Sequence, residues 1–234
     1  MPMYASEGTV KFEYQWERIP LPESPQLREL CRWRNLLFRY GLIGADSAGV
    51  GYGNVSIRYG EGARFLITGN GTGRIAELTA EGCSEVMEVD IHRNFLRCRG
   101  LVRASSESLS HAALYLSSPA IGAVVHVHHR TLWERLFGVC PTTDPAIPYG
   151  TPELALALMR LVVEHRLERR GLIVMGGHKD GLLSFGSTLQ EAVQILLQRL
   201  TELPTPVPSV PECSEHPGHL PPGSPVPCPQ DSAH

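Results

Sequence analysis

The sequence predicts an α/β fold: one domain built on a central mixed, largely antiparallel sheet with helices packed against it. Three observations predict it. Strand-type and helix-type segments interleave along the chain without strict βαβ alternation, which disfavours an all-parallel sheet. The 234 residues suffice for one domain with a sizeable core and would be cramped for two. Ten of the 19 prolines fall within residues 204–234, so regular structure must lie before them.

Residues 1–23 read as an irregular N-terminal segment, broken by Pro20 and Pro22. A helix then opens with Ser24 as its cap and Pro25 as its first residue, carries the apolar stripe Leu27, Leu30, Cys31, Leu37 and Phe38, and closes near Gly41. Stretches rich in β-formers at 53–59 (GNVSIRY), 64–68 (RFLIT) and 86–91 (VMEVDI) read as neighbouring strands. A helix from Glu107 to Ser118 places Leu109, Ala112, Ala113 and Leu116 on one side, with Ser105 and Ser106 where its N-cap belongs. AIGAVVHVHH is a strand, and a short helix follows it.

Thr151 and Pro152 start a further amphipathic helix that the periodicity carries to Arg170, and GLIVMGG and GLLSFG form a strand pair around a short turn. Thr188 with Glu191 is a capping-box signature for the last helix, which runs to Leu203. The domain thus spans residues 24–203, and 204–234 is a proline-rich tail expected to be disordered.

Composition narrows the function. A formal net charge of −3 supplies no basic field for gripping nucleic acid phosphates. No apolar run reaches the ~18 residues that span a bilayer, and MPMYASEGTVKFEYQW has no basic-then-apolar signal pattern, so a cytoplasmic location without membrane attachment is expected. The six cysteines contain no CxxC pair and are expected to be reduced thiols. Cys213, His216, His219 and Cys228 in the tail lack the framework of a metal site. Only Lys11 and Lys179 are lysines, and Asp180 beside Lys179 favours its protonated form, which works against a Schiff-base enzyme.

Chemistry concentrates in VVHVHH. Side chains alternate along a strand, so His126 and His128 point one way and His129 the other. Two imidazoles from one strand plus one from elsewhere can hold a divalent cation and leave a position open for substrate. Two histidines at a strand end making only backbone contacts is the plainer alternative. His178 lies in MGGHKDG, where glycines let the backbone bend toward a site. Glu107 follows two serines at a helix start, a place where a carboxylate is favoured by the dipole alone. Gly53-Asn54 and Thr72-Gly73 sit in turn-like segments that could cradle an anion or simply turn.

The order GNVS (53–56), LIT (66–68) with a glycine-rich loop after it, SSE (105–107), VVHVH (124–128) and a glycine-linked His178 before GLLSFGSTLQEA resembles the class II aldolase/adducin family over roughly residues 25–200. The resemblance implies a three-layer α/β/α fold with a central mixed, largely antiparallel sheet, assembled as a homo-oligomer, commonly a tetramer with sites between subunits. That family includes fuculose-phosphate and rhamnulose-phosphate aldolases, ribulose-phosphate 4-epimerase, methylthioribulose-phosphate dehydratase and the cytoskeletal adducin. It implies zinc ligands at His126, His128 and His178, with Glu107 as the acid/base. Asn54, Thr72, Gly73, Ser105 and Ser106 match its phosphate-binding positions.

The implied function is a zinc-dependent lyase: an aldolase working through a metal-stabilised enediolate on a small-molecule ketose, sugar phosphate or hydroxy or keto acid. A decarboxylase, epimerase or dehydratase on the same metal site, and a non-catalytic adducin-like binding module, stand as alternatives. Two departures from the family pattern bear on the site. His178-Lys179-Asp180-Gly181 separates the third histidine from the glycine that usually follows it, which leaves Asp180 as an alternative ligand. The segment PTTDPAIPYG leaves no counterpart for the aldolase tyrosine that donates a proton, with Tyr149 the nearest candidate to line the site.

Overall fold

The computed structural model describes residues 10–203. The proline-rich segment and its cysteines and histidines, like residues 1–9, lie outside the described residues.

In chain order the elements are β1 (Glu13–Glu17), α1 (Pro25–Arg39), β2 (Gly44–Ala45), β3 (Gly51–Tyr52), β4 (Asn54–Arg58), β5 (Phe65–Thr68), β6 (Cys83–Asp90) and β7 (Phe95–Arg99). There follow α2 (Ser108–Ser117), β8 (Ala123–His128), α3 (Arg130–Leu136), α4 (Pro152–Glu164), β9 (Gly171–Val174), β10 (Gly181–Gly186) and α5 (Leu189–Thr201). Eight strands form one sheet in the order β1-β7-β6-β5-β4-β8-β10-β9, and β2 and β3 pair as a separate hairpin. Every pairing in the large sheet is antiparallel except β1 with β7, so the sheet is mixed and largely antiparallel, as the absence of βαβ alternation predicts.

Strand alternation sends two sets of side chains to opposite faces. Val124, Leu183 and Phe185 pack with Leu109 and Ala113 of α2 and Leu154 and Leu158 of α4. On the other face, Val125, Val127 and Leu182 pack with Leu27 and Leu30 of α1, Leu132 of α3 and Leu189 and Val193 of α5. The result is the α/β/α layering.

The segment expected to be irregular contains β1, a correction with a clear cause. Phe12 is buried, the Trp16 indole N–H donates to the Gly100 carbonyl at 2.9 Å, and Glu13–Glu17 pair in parallel with Phe95–Arg99. A parallel edge strand depends on a distant partner rather than on a local turn, so prolines nearby do not exclude it. The partner β7 was also not expected, although Leu96 and Cys98 point inward while Arg97 is exposed. The helix from Thr151 stops at Glu164, short of Arg170. Arg166 takes a left-handed conformation (φ 54°), and Leu167 N–H bonds the Val162 carbonyl while Arg166 N–H bonds that of Val163. This is a Schellman ending with arginine where glycine is usual, hence invisible to a search for glycine. At Gly41 the same bonds close α1 as expected.

Caps follow the residues closely. Ser24, Thr151 and Thr188 each accept the N–H three residues on. Glu191 completes its box one residue earlier than the pattern suggests, accepting from the Ser187 N–H at 2.8 Å. At α2 the N-cap is Glu107 rather than Ser105 or Ser106, and the Glu107 carboxylate does not cap the helix.

One charged cluster stabilises the β5–β7 side of the sheet. Glu85, on β6, has a 1% exposed side chain and is held by Arg99 at 2.7–2.8 Å and by Arg64. Removing the carboxylate leaves two guanidinium groups without their shared anion, so Glu85→Ala is expected to lower the unfolding free energy by about 3 kcal/mol. Denaturant titration measures it, and a loss under about 1 kcal/mol would show the cluster to be a surface pair in effect.

Candidate functional site

β8 runs between β4 and β10, and its register brings Asn54, His126 and Leu183 side by side. Gly53 precedes Asn54 at φ 77°, where a side chain would be strained and its Cβ would lie 3.2 Å from the His126 carbonyl. Thus the glycine in GNVS lets β4 begin beside the histidine strand.

His126 and His128 do lie on one face, with their Nε2 atoms 3.2 Å apart. His129, at the strand's end, instead caps α3 by accepting the Leu132 N–H. His178 enters from the β9–β10 turn, its ring centroid 5.1 Å from that of His126 and 4.7 Å from that of His128. Gly176 and Gly177 make this turn possible: a Cβ on either would lie 2.0 Å from a carbonyl of the 143–147 segment. Ligand atoms of all three histidines fall within 4.8 Å of one another, the one such group among the described residues. Asp180, the alternative third ligand, is outside that group; it sits at φ 66° and lines a separate pocket with Lys179, Arg130, Tyr52 and His128.

These residues fit a divalent cation. Two ligands about 2.0–2.1 Å from a tetrahedral ion stand roughly 3.3 Å apart, close to the observed separation. His126 Nδ1 faces the Leu182 carbonyl at 3.2 Å, a contact that favours the tautomer with its Nε2 lone pair toward His128 and His178. Burial first, then the neighbouring histidines, pushes the His126 pKa well below its usual value, so its ring is neutral.

Glu107 is 3% exposed; its Oε2 accepts from the Ser110 hydroxyl at 3.1 Å, and its Oε1 lies 3.8 Å from His178 Nδ1. Its backbone, φ −92° and ψ 8°, is in the sparsely populated bridge region where active-site residues recur. The pocket over the histidines is lined by Asn54, Gly73, Ser105, Ser106 and Glu107 together with His126 and His178. Ser105 Oγ accepts from the Glu107 N–H and so helps to set that backbone. Thr72 is the exception among the expected binding residues. Its hydroxyl donates to the Gly69 carbonyl at 2.7 Å, and it holds the loop without lining the pocket.

Several neighbours were missed. Tyr52 stacks on His128 (5.2 Å, 28°), and Tyr149, expected only as a candidate lining residue, stacks on His178 (4.5 Å, 25°). Lys11 Nζ sits 3.5 Å over the Tyr149 ring and donates to its carbonyl at 2.8 Å. No short-range signal marks these contacts, because each joins residues far apart in sequence. His111 did have a signal, the i, i+4 spacing from Glu107 on α2. It is fully buried, with Nδ1 2.7 Å from the Ser56 hydroxyl, which is itself 2.8 Å from the Tyr115 hydroxyl.

Burial pushes the His111 pKa down from 6.5 to about 3. A neutral His111 therefore contributes stability that is fully present above about pH 6.5 and is lost as the pH falls toward about 3, since the unfolded chain binds the proton first. Unfolding free energies of metal-free protein measured across that window should fall with pH, and His111→Gln should flatten the fall. An unchanged slope in the variant would remove His111 from the account.

Fold and site together define an α/β/α domain with a three-histidine, one-glutamate cluster able to hold a divalent cation in a polar pocket. The chain belongs to the class II aldolase and adducin family: the family described as Class II Aldolase and Adducin N-terminal domain matches residues 28–199. Among solved structures it is similar to YgbL from Klebsiella pneumoniae, described as a candidate aldolase/epimerase/decarboxylase. The match has 25% identity, covers 75% of this chain and 86% of that one, and has a TM-score of 0.56. An L-fuculose 1-phosphate aldolase is similar over 80% of this chain and 92% of its own, at 21% identity and a TM-score of 0.53. An aldolase II superfamily protein from Pseudomonas syringae covers 76% and 74%, at 21% identity and a TM-score of 0.50. The last two carry the fold alone. No curated protein matches the chain. Among the described residues, no helix is long and apolar enough to cross a membrane.

Proposed function

We propose that this chain is a divalent-metal-dependent aldehyde-lyase, a class II aldolase in type, that makes or breaks a carbon–carbon bond beside the carbonyl of a small hydroxylated substrate. The observation that carries the reading is the convergence of His126, His128 and His178 with Glu107 3.8 Å from His178. Three imidazole ligands suit zinc among divalent ions. When bound, the cation supplies Lewis-acid polarisation of the carbonyl.

Glu107 does the proton work. In the cleavage direction the Glu107 carboxylate takes the proton of the substrate's β-hydroxyl, the adjacent carbon–carbon bond breaks, and its electron pair passes to the carbon next to the carbonyl. Protonated Glu107 returns a proton to that carbon, and in synthesis its carboxylate removes one. The Ser110 hydroxyl steadies Oε2 in both states. Asn54, Gly73, Ser105 and Ser106 would orient the rest of the substrate, a ketose, sugar phosphate or hydroxy acid, through backbone and side-chain polar groups.

The description of YgbL favours a second reading, epimerisation or decarboxylation at the same site, since both also pass charge to a carbon beside a carbonyl. Aldehyde release and carbon dioxide release, followed on a panel of ketose phosphates and hydroxy acids with and without chelator, separate the readings. Chelator-sensitive aldehyde release supports the lyase. Protein that retains no divalent ion after metal-free-buffer purification and zinc loading would instead fit an adducin-like binding module.

A further inference from the structure

Cys31 on α1 and Cys83 at the start of β6 are free thiols whose sulfurs lie 3.8 Å apart. Both belong to the core beneath α1, where a cysteine often serves only as a small apolar side chain. Three features set this pair apart. Cys31 lines a cleft of about 270 Å³ with Leu27, Arg28, Thr79 and Ala80, whereas Cys83 is fully buried and does not line it. A reagent from solvent therefore meets Cys31 first. Arg34, one turn further along α1 and buried, keeps its positive charge near both sulfurs, since its guanidinium is held by the Thr72 and Gly73 carbonyls at 2.9 Å. Finally, the Cys83 thiol can donate its proton to the Cys31 sulfur once that sulfur is ionised.

The hydrogen bond from Cys83 holds the Cys31 thiol below its usual pKa, against the opposing effect of burial and with the help of Arg34. Burial instead pushes the Cys98 and Cys140 thiols up. The thiolate is the reactive form of cysteine, so reactivity should follow this environment and not exposure alone. The place of the pair in the fold gives its oxidation a consequence. Cys83 ends the connection between β5 and β6, whose Gly69, Asn70, Gly71 and Gly73 line the candidate site. The Gly69 N–H bonds the Gly82 carbonyl at 2.8 Å, so the two ends of that loop meet beside Cys83.

We propose that Cys31 and Cys83 are a hydroperoxide-oxidisable pair, with Cys31 the attacking sulfur and Cys83 the resolving one, and that their disulfide ties α1 to the end of the loop lining the site. The Cys31 thiolate attacks one oxygen of the hydroperoxide, the O–O bond breaks, and the departing alkoxide takes a proton from water. Cys31 is then a sulfenic acid. The Cys83 thiol attacks the Cys31 sulfur, the S–O bond breaks, and the hydroxide leaves with the Cys83 proton as water. Two thiols are oxidised to a disulfide, and one hydroperoxide is reduced to an alcohol and water. Rotation of the two side chains about their Cα–Cβ bonds is the movement that closes 3.8 Å to the ~2.0 Å of an S–S bond. Neither step involves the metal or Glu107.

Reduced full-length protein treated with hydrogen peroxide, followed by mass-spectrometric mapping of every cysteine peptide, tests the pair. A Cys31–Cys83 disulfide that dithiothreitol reverses is expected as the first product. In Cys83→Ser the resolving thiol is gone, and dimedone should trap a sulfenic acid at Cys31 on the order of tenfold faster than at Cys140, although Cys140 is the more exposed. Cys31→Ser should leave Cys83 a thiol under the same treatment, and it decides the matter if Cys83→Ser does not fold. Hydrogen exchange of the amides in 69–82 should slow several-fold in the oxidised parent and stay unchanged in peroxide-treated Cys31→Ser. Three results would each overturn the inference: Cys31 trapped no faster than Cys140, a first disulfide that joins other cysteines, or an oxidised parent whose 69–82 amides exchange as before.

Discussion

Glu107→Gln is expected to reduce turnover on the order of 10²-fold or more while leaving metal content and fold nearly intact. Glutamine fills almost the same volume and still offers an oxygen to the Ser110 hydroxyl, but it cannot take or return a proton. Its structural cost is bounded by the dipole interaction of a helix-start carboxylate, at most about 1 kcal/mol. Deuterium uptake from heavy water at the substrate's enolisable carbon isolates the step from the rest of the reaction. Exchange as fast in the variant as in the parent would move the proton-transfer role elsewhere, with Tyr149, stacked on His178, next in line.

Changing both His126 and His128 to alanine is expected to bring bound metal from about one ion per chain to nearly none, because a lone His178 lacks the chelate that holds a divalent cation. The comparison must be made with stripped parent protein, since removing the buried His126 ring also opens a cavity. Elemental analysis after zinc loading gives the answer. A double variant that keeps a full complement of metal would mean that the ion sits elsewhere.

Much of the site was legible because its parts are local. The HxH spacing alone places two imidazoles on one face of a strand, and the glycines before His178 signal a turn that can aim a side chain. Most strands and helices were legible for the same reason: Ser24, Thr151 and Thr188 cap the helices they precede, and GLLSFG is flanked by its own turns. The parallel strand β1 was not, since its hydrogen bonds go to residues about 80 positions away.

By itself the sequence determined the class of fold and the placement of His126 and His128 on one face of a strand, which follow from periodicity within a few residues, while Glu107 was singled out only through the family resemblance. Only the tertiary structure decided that His178 rather than Asp180 turns toward that pair, because φ 66° at Asp180 and the packing of Gly176 and Gly177 against residues 143–147 fix the turn's direction. It alone, too, set Tyr52 on His128 and Tyr149 on His178. Those are contacts between segments brought together by burial of the sheet's two faces. No local pattern encodes them, since the free energy that selects them comes from the whole core.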